Sequence, residues 1–215
     1  DLQRRSVFKL TNKRCKNGFV VACEETGEAV LIDPGDEVDQ LLRIIRATAS
    51  DVKAILLTHA HLDHITGVAR AKAELNVPIW LHREALFLYE GIVEQGAMFG
   101  MEMEPQPPVD CFYEPGLPFR FGRYVAEALH TPGHCPGGVC LAIGRAESDA
   151  RELFVGDTLF AGSVGRTDLP GGNHARLLHS IVDVLMRFPD NTPVHPGHGP
   201  DTTIGRERAT NPFFK

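Results

Sequence analysis

His59-Ala-His61-Leu-Asp63-His64 places four imidazole or carboxylate donors within six residues, a density that metal ligation explains and packing does not. The cluster follows the apolar run Ala54 to Thr58, which reads as a buried strand. Two histidines spaced i, i+2 off a strand end can point to the same side. Asp63 and His64 are neighbours whose side chains would diverge in regular backbone, so the segment reads as a loop wrapped around a centre, and around more than one ion. Further donors sit after other strand-like runs. They are His134 in Thr131-Pro-Gly-His-Cys-Pro-Gly-Gly138, Asp157 in Phe154-Val-Gly-Asp-Thr-Leu-Phe160, and His195 and His198 in Val194-His-Pro-Gly-His-Gly-Pro200. Glycine and proline around a histidine fix the loop and let its backbone approach a centre closely. His195 belongs to a strand pattern and is expected to be structural, whereas His198 lies on the loop and is the better ligand. His82, His130, His174 and His179 lack such surroundings and default to structure or surface.

His59, His61, Asp63, His64, His134, Asp157 and His198 make seven candidates. One catalytic zinc usually takes three protein ligands and a water, and a structural zinc is closed by four. Two ions could each take three ligands and share one carboxylate. That arrangement suits a two-metal hydrolase, in which bound water ionises near pH 7 instead of about 15.7. Nitrogen and oxygen donors without thiolate point to zinc first, with iron or manganese as alternatives. Asp33, ending a buried strand, either orients a ligand histidine or caps a turn.

The elements that must carry these donors follow from periodicity. Strands are expected over Gly18–Cys23 and Ala29–Asp33 with a turn at Glu25–Glu28, a helix over Asp39–Ala47, the strand into the histidine cluster, and a helix from about Gly67 to Leu75. Pro78–Leu81 reads as a strand and Glu84 to about Phe99 as one helix, followed by a proline-rich loop over Glu102–Pro108. Methionines 98, 101 and 103 around that loop read as core filler, or as part of a segment covering the site. Later strands are expected over Tyr124–Leu129, Gly138–Ile143, Glu152–Val155 and Pro193–His195, with a helix over Ala175–Phe188. Strands and helices alternate in both halves and each half carries ligands, so two sheets packed together with helices outside are expected, as a single α/β domain over residues 1–215.

Composition narrows the classes. A net charge of −6, from 22 basic and 28 acidic residues, with no long basic run argues against nucleic acid. Arg4-Arg5 and the Lys13/Arg14/Lys16 cluster, the densest basic patches, read as solvated faces. Five cysteines (Cys15, Cys23, Cys111, Cys135, Cys140) form no C-x-x-C pair, so a disulfide framework is not expected and the cytoplasm is favoured. Cys135, beside His134, reads as a small buried hydrophobe. No apolar stretch approaches the roughly 20 residues needed to span a bilayer. Oligomeric state is left open.

Thr58-His-Ala-His-Leu-Asp-His64, with Gly133-His134, Gly156-Asp157, Gly197-His198 and the earlier Ile32-Asp-Pro-Gly35, resembles the metallo-β-lactamase superfamily over nearly the whole chain. The resemblance implies a four-layer αββα sandwich of two mixed β-sheets flanked by helices. It also implies that His59, His61 and His134 bind one metal, that Asp63, His64 and His198 bind the second, and that Asp157 bridges them, which gives the carboxylates of Asp63 and Asp157 catalytic roles. Aspartate at 157, Gly162-Ser-Val-Gly-Arg-Thr-Asp168, Gly171-Gly-Asn-His174 and the ending from Pro196 to Phe213 are similar to small bacterial glyoxalase II-like proteins. The implied reaction is hydrolysis of a thioester such as S-D-lactoylglutathione to D-lactate and glutathione, by a metal-bridging hydroxide, with a small-molecule substrate and neither nucleic acid nor a membrane as partner. Full-length glyoxalase II enzymes carry a helical extension that helps hold glutathione, and the 17 residues after His198 are too few for it. Arg166 is the candidate for holding an anionic end of the substrate, with a salt bridge to Asp168 as its competing role. Gly165-Arg-Thr-Asp168 also occurs in persulfide dioxygenases, which use one iron, so that activity and a lactonase or β-lactamase activity are the rival readings.

Overall fold

The computed structural model describes residues 5–12 and 16–215. Arg4, Lys13, Arg14 and Cys15 lie outside the described residues. The chain divides into two compact units, Asp1–Tyr113 with Phe121–Arg123, and Glu114–Arg120 with Tyr124–Lys215.

The first unit is built on β1 (Arg5–Thr11), β2 (Asn17–Cys23), β3 (Glu28–Ile32), α1 (Val38–Ala47), β4 (Asp51–Leu56), α2 (Leu62–Ile65), α3 (Val68–Leu75), β5 (Ile79–Leu81), α4 (Leu86–Glu90), α5 (Ile92–Met98) and β6 (Cys111–Phe112). Its strands lie in sequence order in one six-stranded sheet. The pairs from β1 to β3 are antiparallel and those from β3 to β6 parallel, so the sheet is mixed. β2 is buried at every position, as its apolar run requires, and α1 buries Val38, Leu41, Leu42 and Ile45. Those four recur at helical spacing, and their removal from water supplies most of what holds this helix.

Four expectations change here. The strand into the histidine cluster stops at Leu56, because the next residues turn to present His59 and His61. The single helix expected from Glu84 to Phe99 is a 3-10 turn followed by α4 and α5, broken at Gly91, a residue with weak helix propensity. Lys16 is not on a solvated face. It is fully buried, and its Nζ donates to the Asp33 carbonyl and pairs with Glu37 at 2.8 Å. The loop Glu102–Pro108 has no regular structure, as its prolines dictate. Met98 is exposed instead of filling a core, since α5 turns that side outward.

The second unit holds β7 (Phe119–Phe121) except its last residue, β8 (Tyr124–His130), β9 (Val139–Arg145), β10 (Glu152–Gly156), the hairpin of β11 (Leu159–Phe160) and β12 (Ser163–Val164), α6 (His174–Asp183), β13 (Pro193–Pro196), β14 (Thr202–Thr203) and α7 (Ile204–Thr210). Its sheet runs β14-β13-β10-β9-β8-β7. Only β10 and β13 are seen to pair in parallel, against antiparallel neighbours, so this sheet too is mixed. Leu153, Val155 and Val194 from the sheet close on Leu177 and Ile181 of α6 and on Ile204 of α7. The helix expected to reach Phe188 ends at Asp183 and tightens into a 3-10 turn over Leu185–Arg187. No helix among the described residues is long and apolar enough to cross a membrane.

Candidate metal centre

In the first unit all four donors lie directly beyond β4. His59 and His61 occupy the extended connection, and Asp63 and His64 fall within α2, a helix of a single turn. The cluster is therefore half loop and half helix, where a loop alone was expected. The His59 ring lies 4.9 Å from that of His61 and 4.0 Å from that of His64, centroid to centroid. The His64 Nε2 and Asp63 Oδ2 atoms are 3.8 Å apart.

Asp33 organises this set. Its Oδ1 accepts the Thr58 backbone N–H at 2.8 Å, and its Oδ2 accepts the Thr58 hydroxyl at 2.6 Å and His64 Nδ1 at 3.0 Å. With its proton committed to Asp33, the Thr58 oxygen accepts from His59 Nδ1, 3.1 Å away. Both imidazoles are thereby fixed with the proton on Nδ1 and the lone pair on Nε2, the form that ligates a metal. Asp33, His59 and His64 could themselves surround an ion, but both oxygens of Asp33 are already engaged, which makes it the residue that orients the ligands. Asp33 has φ +47°, a left-handed conformation that aspartate tolerates better than most side chains. The Lys16–Glu37 pair holds this bend, since Lys16 bonds the Asp33 carbonyl and Glu37 accepts the Gly35 N–H at 3.3 Å.

In the second unit the donors come from three separate strand ends. His134 follows β8, Asp157 follows β10 and His198 follows β13. Main-chain bonds set them. His134 Nδ1 donates to the Arg166 carbonyl at 2.7 Å, again leaving Nε2 as the ligand nitrogen, and the Gly197 N–H donates to the Gly156 carbonyl at 2.7 Å, tying the His198 loop to the Asp157 loop. One carboxylate oxygen, Asp157 Oδ2, faces both His134 Nε2 at 3.8 Å and His198 Nε2 at 3.5 Å. Donors about 2.1 Å from a shared tetrahedral ion stand about 3.4 Å apart, so these spacings suit a carboxylate that shares ions with each histidine. A Cβ on Gly165 would overlap the Asp157 carbonyl and come within 3.2 Å of His134 Nδ1, so only glycine allows the approach.

The remaining candidates sort by environment. The Arg166 guanidinium makes a two-point pair with Asp168, 2.7 Å for each bond, and that bond holds the Asp168 carboxyl at about 2. Within its own unit Arg166 serves the site through its carbonyl. His195 sits between Glu152 at 3.0 Å and Asp201 at 3.1 Å and stacks on Phe154, as its strand position implied. His82, His130 and His179 bond locally to Glu84, Pro136 and Asp183, and His174 packs against Phe213. Cys135 is buried, and burial with the nearby Asp157 pushes its thiol up to about 12, so it stays protonated at neutral pH.

Glu207 was passed over in the sequence. It is fully buried, accepting the Thr202 hydroxyl at 2.5 Å, the Gly162 N–H at 2.8 Å and the Asn211 amide at 2.8 Å, which fixes the β11–β12 hairpin leading to Gly165. A glutamate in an exposed-looking helical stretch carries no sequence signal for this.

Comparison with known proteins agrees with these features. Residues 15–202 match the family described as the metallo-beta-lactamase superfamily. The chain is 37% identical over 193 residues to the hydroxyacylglutathione hydrolase GloC of Haemophilus influenzae, covering 89% of each. Among solved structures it is similar to TTHA1623 in a di-iron-bound form, with 42% identity, a TM-score of 0.83 and coverage of 96% of this chain and 100% of that one. It is also similar to the BLEG-1 B3 metallo-beta-lactamase, with 33% identity, a TM-score of 0.87 and coverage of 98% and 100%.

Proposed function

Since the chain belongs to the metallo-beta-lactamase superfamily, whose α/β fold of two mixed sheets flanked by helices it has, we propose that it is a two-metal hydrolase acting on thioesters. In this reading His59, His61 and His134 hold one ion, Asp63, His64 and His198 hold the second, and Asp157 serves both. The observation that carries it is the shared setting of His64 and His134. Each gives its Nδ1 proton to a fixed acceptor, Asp33 or the Arg166 carbonyl, and so keeps Nε2 for an ion. The donor set is wholly imidazole and carboxylate, which fits zinc, iron or manganese.

When bound, such ions supply an acidified water and a Lewis acid for the scissile carbonyl. The protein's part is orientation. Asp33 and Thr58 set two of the histidines, the Asp157 carboxylate lies between the nitrogens of His134 and His198, and the Arg166–Asp168 pair leaves the outer face of the guanidinium exposed for an anionic substrate. A thiolate leaves readily because a free thiol titrates near 8.5, so a thioester needs no separate acid. A glutathione thioester is favoured by the likeness to GloC. The four described cysteines are free thiols, in keeping with a reducing compartment such as the cytoplasm.

Elemental analysis combined with thiol release from S-D-lactoylglutathione tests the reading. Two equivalents of metal and thiol release that stops on chelation are expected. Oxygen uptake with glutathione persulfide, or opening of a β-lactam ring, in place of thiol release would overturn the thioesterase assignment.

A further inference from the structure

We infer that Gln95, on α5, is a positioning residue that sets the placement of His61 and so the affinity of the ion His61 helps to hold. The inference rests on the two-metal reading above.

His61 is a buried histidine, and the main chain on both sides of it is held by a single side chain. The Gln95 Oε1 accepts the Leu62 N–H at 3.1 Å, and its Nε2 donates to the Ala60 carbonyl at 3.0 Å. The two bonds bracket His61, one on each neighbouring residue. Nε2 also donates to the Leu88 carbonyl at 2.6 Å, near the end of α4. One amide thus joins α4 and α5 to the ligand loop.

The Leu62 N–H is also the first amide of α2, which begins at His61 without a side-chain cap of its own. A helix of four residues cannot sustain itself, and it leaves its first amides needing acceptors. Gln95 supplies one from 33 residues away. α2 also carries Asp63 and His64, but His64 keeps its own anchor on Asp33, so loss of the clamp falls mainly on His61. Only an uncharged amide does this work. A carboxylate at 95 would keep the bond to Leu62 but place charge against two carbonyls, and a methionine of similar size would make none of the three bonds.

Gln95→Met tests the clamp in two ways. In metal-free protein, hydrogen exchange of the Leu62 amide is expected to quicken at least tenfold while amides of β9 keep their wild-type rates. In cobalt(II)-loaded protein, competition with a chromophoric chelator should show one of the two ions weakened by roughly 10-fold or more, the usual effect of removing a group that orients a ligand, with the visible spectrum altered at that ion alone. Gln95→Glu, which retains the acceptor, should keep the Leu62 protection and lose affinity less. Unchanged Leu62 exchange, or equal weakening of both ions, would overturn the inference. Failure of the wild-type protein to bind cobalt would instead sink the two-metal reading, and the exchange result would then decide on the clamp by itself. Should Gln95→Met not fold, Gln95→Leu, which likewise makes none of the three bonds, carries the same two measurements with the same expected outcomes.

Discussion

The two units present their donors in opposite ways. The first places four within six residues beyond one strand and steadies them with side chains from far along the chain, Asp33 and Gln95. The second draws three donors from three strand ends and steadies them through the main chain, by the Arg166 carbonyl, the Gly197–Gly156 bond and the bare Cα of Gly165. A cluster on one connection has no strand register to order it, so it depends on outside clamps. Donors at the ends of the paired strands β10 and β13 inherit their spacing from the sheet and need only close backbone approach.

If this contrast is right, the largest loss comes from a side chain in the first unit. Asp33→Ala would strand the Thr58 N–H, the Thr58 hydroxyl and His64 Nδ1 without their carboxylate. Unsatisfied buried groups cost about 1–3 kcal/mol each, so urea denaturation of the metal-free protein should show a loss of about 3 kcal/mol or more, and the variant should retain less metal than the wild type when both are loaded. A loss under about 1 kcal/mol would mean that the first unit does not rely on this clamp.

In the second unit the sensitive position has no side chain. Gly165→Ala forces the Asp157 carbonyl to move, and overpacking of this kind costs about 1–3 kcal/mol. Thiol release should fall at least tenfold, seen mainly in kcat. Equal activity in the alanine variant would show that the main chain there has slack.

The smallest effect is expected at Arg166. Arg166→Ala removes an exposed guanidinium and keeps the carbonyl that meets His134, so the melting temperature should hardly shift while KM for an anionic thioester rises a few-fold at constant kcat. The pair with Asp168 should also ignore mild acid. A carboxyl depressed to about 2 in the folded protein makes its full contribution above the ordinary value of about 3.9 and loses it as pH falls toward 2. A salt-bridge signature in the arginine side-chain NMR shifts that vanished between pH 7 and 5 would contradict this.

The donors and most of the sheet were legible because metal-binding residue types and apolar runs are local signals. His59 to His64 is dense, and Val38, Leu41, Leu42 and Ile45 repeat at helical period. The clamps were not legible for the opposite reason. Gln95 and Glu207 resemble ordinary polar residues of amphipathic helices until the chain folds back 35 and 45 positions to meet them. Lys16 looked solvated because charge is read locally, whereas its partner Glu37 lies 21 residues on. Short edge strands such as β6, β11, β12 and β14, of two residues each, hold too few side chains for any alternation to register. Gly91 broke a helix whose pattern ran on through it.

The seclusion of Lys16 and Glu37 has a bearing on the ionic conditions this bend withstands. Their side chains are 0% and 1% exposed, so dissolved ions find no path between them. At 1 M salt, where charges are screened beyond about 3 Å, surface pairs such as Arg46–Glu74 fade, while the hinge beneath Asp33 keeps its strength in brine as in dilute buffer.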